Sequence, residues 1–589
     1  MSESLVVISF LAPLILAMLW PVRRLRRWIG CCIPIMPLPA VMLVLLGSDC
    51  TLDVPWLLLG CQFGLDTTGR VFLGVSAALW LIAGIYGRSS LVDDPQRERL
   101  ELFWLLAMAG NLGLVLSQDM ISYLLLFTLM SVTAYGFVVH DGKPESLRAG
   151  RVYITLAIGG EVLLFWAAVV AIDLTGQLTF AEVTRGLVGG PLCSVYLFLL
   201  LIGFGIKLGT MPLHFALPLA YTSAPIAAAA VLSGAIVKAG LLGWMRFVPV
   251  GEMAMPQWGG IWIGLGTASA FIAAVIGATQ RNSKTVLAYS SISQMGLATI
   301  GFGAAMTVPD AWPMISVGLL LFVVHHAISK AGLFLGVGVA RSALQSRVGR
   351  MLVIAGLVIG AASLAGLPLT TGFAAKNGLK AAVARASDEW AAGLAWVLPL
   401  SGITTTLLVG RFVYLAWPSQ RQPSGQRQSG RRLSFAMAFA WGVLIAAVML
   451  IAIGLPSIEI VPAKWTTPTI AKAWPVIWPL LCAGVVALPF LLARPIGLWF
   501  ARHPLPAGDI VVPLSDALTW CRRAWDRSVV GGIARMDDGL RERLARYRMP
   551  DAGRSLRTIE HRLGEGLIAG TMIGLLMLMM LGLVWFAAA

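Results

Sequence analysis

The stretch LIGFGIKLGTMPLHFALPLAYTSAPIAAAAVLSGAIVKAGLLGWMR, residues 201–246, decides how the rest of the chain is read. It is an apolar helix, a break and a second apolar helix. Gly209, Pro212, Pro218 and Pro225 fall in the break. Proline removes a backbone donor and clashes with the preceding turn, which rules against one continuous helix. Lys207 stands just before the break, His214 in it, and Lys238 well inside the second helix. A charged side chain at bilayer depth costs at least about 2.5–3.5 kcal/mol, and broken helices mark binding sites in transporters. Together these features point to an ion or proton path. The alternative is that both lysines snorkel or pair structurally.

The composition supplies the membrane. Of 589 residues, 58% are hydrophobic and 12% charged, where a soluble domain carries about 25% charged residues. Mean hydropathy is +0.83. Apolar runs of membrane-crossing length recur along the whole chain, without the alternation of a transmembrane barrel. The net charge of +16 comes from arginines clustered between the runs, as the positive-inside bias predicts. No basic stretch is interleaved with stacking aromatics, so nucleic acid is not an expected partner. The first run (4–20) is followed, not preceded, by Arg23, Arg24, Arg26 and Arg27. That order predicts a first span with its N-terminus outside, not a cleavable signal. Cys50 and Cys61 share one predicted external loop and are candidates for pairing. The other cysteines show no metal-ligand spacing, so neither a metal nor a cofactor is expected.

Further spans are expected at about 32–46, 71–86, 152–172, 261–278, 285–303 and 315–340. Residues 103–139 hold two spans parted only by Ser117-Gln118-Asp119, where Asp119 suits a helix N-terminus. The span at 152–172 carries a buried acid, Glu161. The span at 315–340 carries His325, His326 and Lys330. His326 and Lys330 are four apart and share a face. A helix beginning near 352 breaks at Gly366, Pro368 and Gly372, and Lys376 and Lys380 follow. This second broken helix, about 170 residues after the first, is a sign of internal repeats. Spans ending near 411–415 and at 434–453, 476–492 and 567–586 complete a count of about 16, with both termini outside. Residues 87–101 read as a cytoplasmic loop. Residues 512–548 carry one apolar stripe between arginines and read as an amphipathic surface helix. The fold class is thus an all-α polytopic membrane protein. Its segments are N-terminal helices (1–100), a first five-helix repeat (101–247), a second (257–416), additional helices (433–501), and a surface helix with a final span (510–589).

Several phrases in order resemble the antiporter-like membrane subunits of respiratory complex I, Mrp-type cation/proton antiporters and membrane hydrogenases. They are MAGNLGLVLSQDMISYLLLF, MPLHFALPLAYTSAP, LSGAIVKAG, KTVLAYSSISQMG, HHAISKAGLF and SLAGLPLTTGFAAK. The resemblance covers about residues 66–415. It implies two inverted five-helix repeats, each with a broken helix, and a lateral helix bracing neighbouring subunits. It further implies that Lys207 is the central lysine of the first half-channel and that Lys238 links the halves. His326 and Lys330 then belong to a central hydrated axis, and Lys376 is the terminal lysine of the second half. Desolvation penalises a charged lysine, so a neighbouring charge can decide the protonation of each. One departure stands out. The family usually has a glutamate in the fifth span, in a phrase such as W-E-L-M-S, and here LFTLMS places Thr128 there. Either Glu161 substitutes, or the gating pair is lost. His214, His325 and Lys380 are secondary candidates for the path.

Three functions follow as expectations. The first is a proton-translocating, or sodium/proton, subunit of a multisubunit inner-membrane complex, with other membrane subunits as partners. The second is a proton channel in an inorganic-carbon uptake complex with a cytoplasmic zinc partner. The third is a scaffold with an inactive channel. No P-loop, paired catalytic carboxylates or nucleophile triad marks an autonomous enzyme.

Overall fold

A computed structural model describes residues 1–57, 60–189, 194–342, 346–417, 433–459, 461–467, 474 and 477–486. The expected amphipathic helix (512–548) and the last span (567–586) lie outside the described residues.

The first helices are α1 (Ser2–Met18), α2 (Arg23–Cys32) and α3 (Leu38–Leu46). A hairpin of β1 (Cys50–Val54) and β2 (Cys61–Leu65) follows. Its antiparallel register sets Cys61 opposite Val54 and Cys50 opposite Leu65. The two cysteines therefore sit at different rungs, and both are free thiols. The expected pairing is not made.

α4 (Thr67–Ser90), α5 (Arg97–Leu116) and α6 (Met120–Val138) come next. The predicted loop 87–101 is helical at both ends, since α4 runs on to Ser90 and α5 begins at Arg97, where Arg97 and Glu101 pair one turn apart at 2.7 Å. The tight turn at 117–119 is as expected. Asp119 caps α6 by accepting from Ser122 N, and also accepts from Gln62 N of the hairpin.

α7 (Pro144–Thr175) and α8 (Phe180–Gly189) lead into the broken region. That region has more pieces than the sequence suggested. α9 (Ser194–Leu208) stops at Gly209, whose φ of +75° favours glycine. A short 3-10 turn and α10 (Ala216–Ser223) follow. α11 (Ile226–Val231) then runs through a π-helical turn (Leu232–Ile236) into α12 (Lys238–Phe247).

The second half holds α13 (Pro256–Thr279), α14 (Ser283–Thr307), α15 (Trp312–Arg341), α16 (Arg347–Ala365), α17 (Thr371–Val383), α18 (Asp388–Ala416) and α19 (Phe435–Gly454). A last short turn, α20, is Ala463–Thr466. All 25 residues of α14 are buried, although the helix is rich in serine, threonine and small side chains. Small residues let helix backbones approach closely and hydroxyls bond across the interface. Ser293 Oγ accordingly donates to Ala270 O of α13 at 2.7 Å.

Among the described residues, 12 helices are long and apolar enough to cross a membrane. The expected count of about 16 included α1, which has 17 residues, and α14, which is buried but more polar. It also included runs at 476–492 and 567–586, which lie partly or wholly outside the described residues.

Candidate functional site

Lys207 occupies the last turn of α9, directly before Gly209. Its Nζ donates to Ser131 Oγ of α6 at 2.6 Å and to the Tyr153 hydroxyl of α7 at 3.4 Å. The same ammonium lies 5.3 Å from the Phe127 ring centre and 5.8 Å from that of Tyr153. Aromatic faces attract a cation without supplying a proton acceptor. Glu161 of α7 is within electrostatic reach of Lys207 and within reach of the Ser131 and Thr128 hydroxyls. Its Oε1 is closed off from solvent and has no hydrogen-bond partner. Thr128 and Ser131 are three apart on α6 and share one face. Ser131, which accepts from Lys207, is thus also within reach of the acid.

A cleft lined by Tyr153, Lys207, Tyr221, Ile236 and Val237 runs from Lys207 to the turn before Lys238. Lys238 Nζ donates to Ser233 O, inside the π-helical turn, at 2.5 Å. Turns of this kind often occur at functional sites. Ser233 Oγ bonds Ser291 Oγ of α14 at 2.9 Å. Lys330 Nζ donates to Leu287 O of α14 at 2.8 Å. Lys238 and Lys330 are within electrostatic reach of one another, and His326 is within reach of both. All three side chains are fully enclosed, and neither ring nitrogen of His326 has a hydrogen-bond partner.

His325 turns toward the second break. Its Nδ1 shares hydrogen bonds with Thr371 Oγ1 (3.1 Å) and Ser363 Oγ (3.2 Å). Of the charges around it, Lys376 acts on it most strongly. Lys376 Nζ donates to Ala365 O, the last carbonyl of α16, at 3.1 Å. Terminal helix carbonyls lack intrahelical partners, so they readily accept. Gly366 carries the chain out of α16 at φ +89°. Lys380 lies one turn further on and is half-buried. His214 is buried with its ring 6.2 Å from that of Tyr289.

One buried cation was not singled out from the sequence. Lys284, at the start of α14, donates to Ala224 O at 2.6 Å and is 8% exposed. Beside it Thr285 Oγ1 bonds Thr222 Oγ1 at 2.8 Å. The only sequence signal is a lysine at the edge of an otherwise apolar span.

The transmembrane sequence model of the NADH:quinone oxidoreductase/Mrp antiporter family matches residues 117–404. Over this segment the chain is similar to the antiporter-like membrane subunits of that family. Hydrogenase-4 component B of Escherichia coli is 28% identical over 52% of this chain and 49% of its own length. The chain therefore spans about half of that relative. A Na(+)/H(+) antiporter subunit of Alkalihalophilus pseudofirmus is 25% identical over 62% of this chain and 76% of its own. The structure of the Mrp complex from a Dietzia species superposes with a TM-score of 0.74 at 21% identity. It covers 92% of this chain and 61% of the matched one, and shows a shared fold. The matched segment contains every lysine and histidine described above and both helix breaks. It also contains Thr128 and Glu161.

Proposed function

We propose that this chain is the proton-translocating, or sodium/proton-exchanging, antiporter-like subunit of a multisubunit membrane complex. The observation that carries this reading is that Glu161 lies within reach of Lys207 and of Ser131, which accepts from that lysine. A charged lysine next to a carboxylate is stabilised by it, and moving the carboxylate away favours release of the proton. Ser131 is placed to hand the Lys207 bond to and from Glu161 as its hydroxyl rotates. A proton leaving Lys207 has the cleft toward Lys238 as its route. Lys330 and His326 then pass charge to His325 and Lys376 beside the second break. Each lysine is held by a carbonyl or hydroxyl, groups that accept from the ammonium without quenching its charge.

The driving event belongs to a partner, since the sequence carries no nucleotide or redox motif. Relatives are components of a hydrogenase and of a sodium/proton antiporter, which supports membrane subunits as partners. Glu161 near Lys207 supplies an acid where Thr128 cannot, which favours this reading over the carbon-uptake alternative.

The test is mild-detergent purification of the chain with its co-purifying subunits, followed by proton flux in proteoliposomes. Co-purification with antiporter or redox subunits and measurable flux support the reading. A chain that purifies alone, or a complex without flux, defeats it.

A further inference from the structure

The basic segment at the start of α2 is used by nothing described so far. Successive residues on a helix are about 100° apart, so Arg23, Arg27 and Arg24 fall at about 0°, 40° and 100° around α2. All three are exposed. Trp28 and Leu25 follow at about 140° and 200°, and are 73% and 38% exposed. The remaining arc is inward: Ile29 is buried, and Arg26 turns away to Glu98 Oε2 at 2.9 Å and Trp20 O at 2.9 Å. The helix therefore presents three cations beside an apolar shelf, while its one inward arginine already has its carboxylate.

Its place along the chain decides the ligand. α1 is an apolar helix ending at Met18, and α2 leads into the next apolar span, which places this turn at the membrane boundary. Met18 and Leu19, at the end of α1, are exposed apolar residues as well. A free phosphate would use the cations and ignore the shelf. An amphiphile with an anionic head uses both. We infer that Arg23, Arg24 and Arg27, with Trp28 and Leu25, form a docking site for the headgroup and upper acyl region of an anionic phospholipid.

The full-length chain in mild detergent, titrated with phosphatidylglycerol or phosphatidylcholine and read by native mass spectrometry, tests this. Phosphatidylglycerol should be retained in preference to phosphatidylcholine. The triple Arg23→Gln/Arg24→Gln/Arg27→Gln variant should bind it about 100-fold more weakly. The triple lysine variant, which keeps the charge, should retain most of the affinity. Trp28→Ala should weaken phosphatidylglycerol without restoring phosphatidylcholine, and inorganic phosphate should not compete. Unchanged retention in the glutamine triple, or competition by millimolar inorganic phosphate, overturns the proposal. Should the glutamine triple fail to fold, unchanged retention in Trp28→Ala overturns it equally.

Discussion

Ser131 Oγ accepts from Lys207 Nζ at 2.6 Å and lies within reach of the Glu161 carboxyl. The acid comes from α7, the serine from α6 and the lysine from α9, so three helices must hold register for the pair to exist. Motion of any one of them changes the pairing, which is the requirement for a gate.

Ser131→Ala removes the hydroxyl and leaves both charges. A hydrogen bond to a charged group contributes about 1.5–3 kcal/mol, so transport by the intact complex should fall about tenfold or more. Proton flux in proteoliposomes measures it, with subunit content checked on the same preparation. Full flux would mean that the serine is a bystander.

Thr128 and Glu161 approach the same point from two helices, so the acid should be movable. Glu161→Gln alone should lower flux strongly. Adding Thr128→Glu to that variant should recover much of it, because the carboxylate returns to the face Ser131 occupies. Thr128→Glu in the parent chain places two carboxylates together and should slow transport. Absence of rescue would show that the position of Glu161, and not simply a negative charge near Lys207, matters.

Gly366→Ala tests the second break. The left-handed conformation costs a residue with a Cβ about 1–2 kcal/mol, and that Cβ would sit 2.8 Å from Lys376 Cδ. Thermal stability should drop modestly, and flux should fall by more than the stability loss explains, since Lys376 is displaced from Ala365. Equal loss in Gly366→Ala and in a stability-matched variant elsewhere would show that displacement of Lys376 is not the cause.

Asp66 and Arg246 tie the start of α4 to α12 through two bonds of 2.6 and 2.8 Å. Burial pushes the Asp66 carboxyl up, but the Arg246 guanidinium and the Gly69 N–H outweigh it and hold the group below its usual value. A carboxyl lowered in the folded state stabilises the protein above its unfolded value, and that contribution is lost as pH falls through the folded one. The parent chain should therefore lose thermal stability below about pH 4. Asp66→Asn keeps the helix cap, but should be less stable at neutral pH and show a shallower acid dependence. The side chain of Asp66 is 42% exposed, so the loss should lie toward the low end of about 1.5–3 kcal/mol. Parallel melting curves across pH for the two proteins would remove the ion pair from the account.

Much of this was legible in residue order. Proline and glycine inside apolar runs located both helix breaks, because their backbone requirements are local. Lysines in apolar runs located the candidate path, because burial of a charge is costly wherever it occurs. The extra pieces of the first break were not legible, since α10 is a short apolar segment with the same composition as its neighbours. The cysteine pairing failed because register is set by hairpin geometry, which places Cys61 opposite Val54. Lys284 was passed over because QRNSK reads as a loop, whereas Asn282 caps α14 there and draws the lysine under Ala224. That Glu161 meets Lys207 was one of two open alternatives, for sequence spacing does not say which faces of α7 and α9 are turned together.

The most direct test of the central claim compares proton flux through the intact complex in proteoliposomes for the parent chain, Lys207→Gln and Glu161→Gln. The account predicts that each substitution removes most of the flux while the complex still assembles, and that the double variant is no worse than the Lys207 variant alone. Parental flux from an assembled Lys207→Gln complex would contradict it.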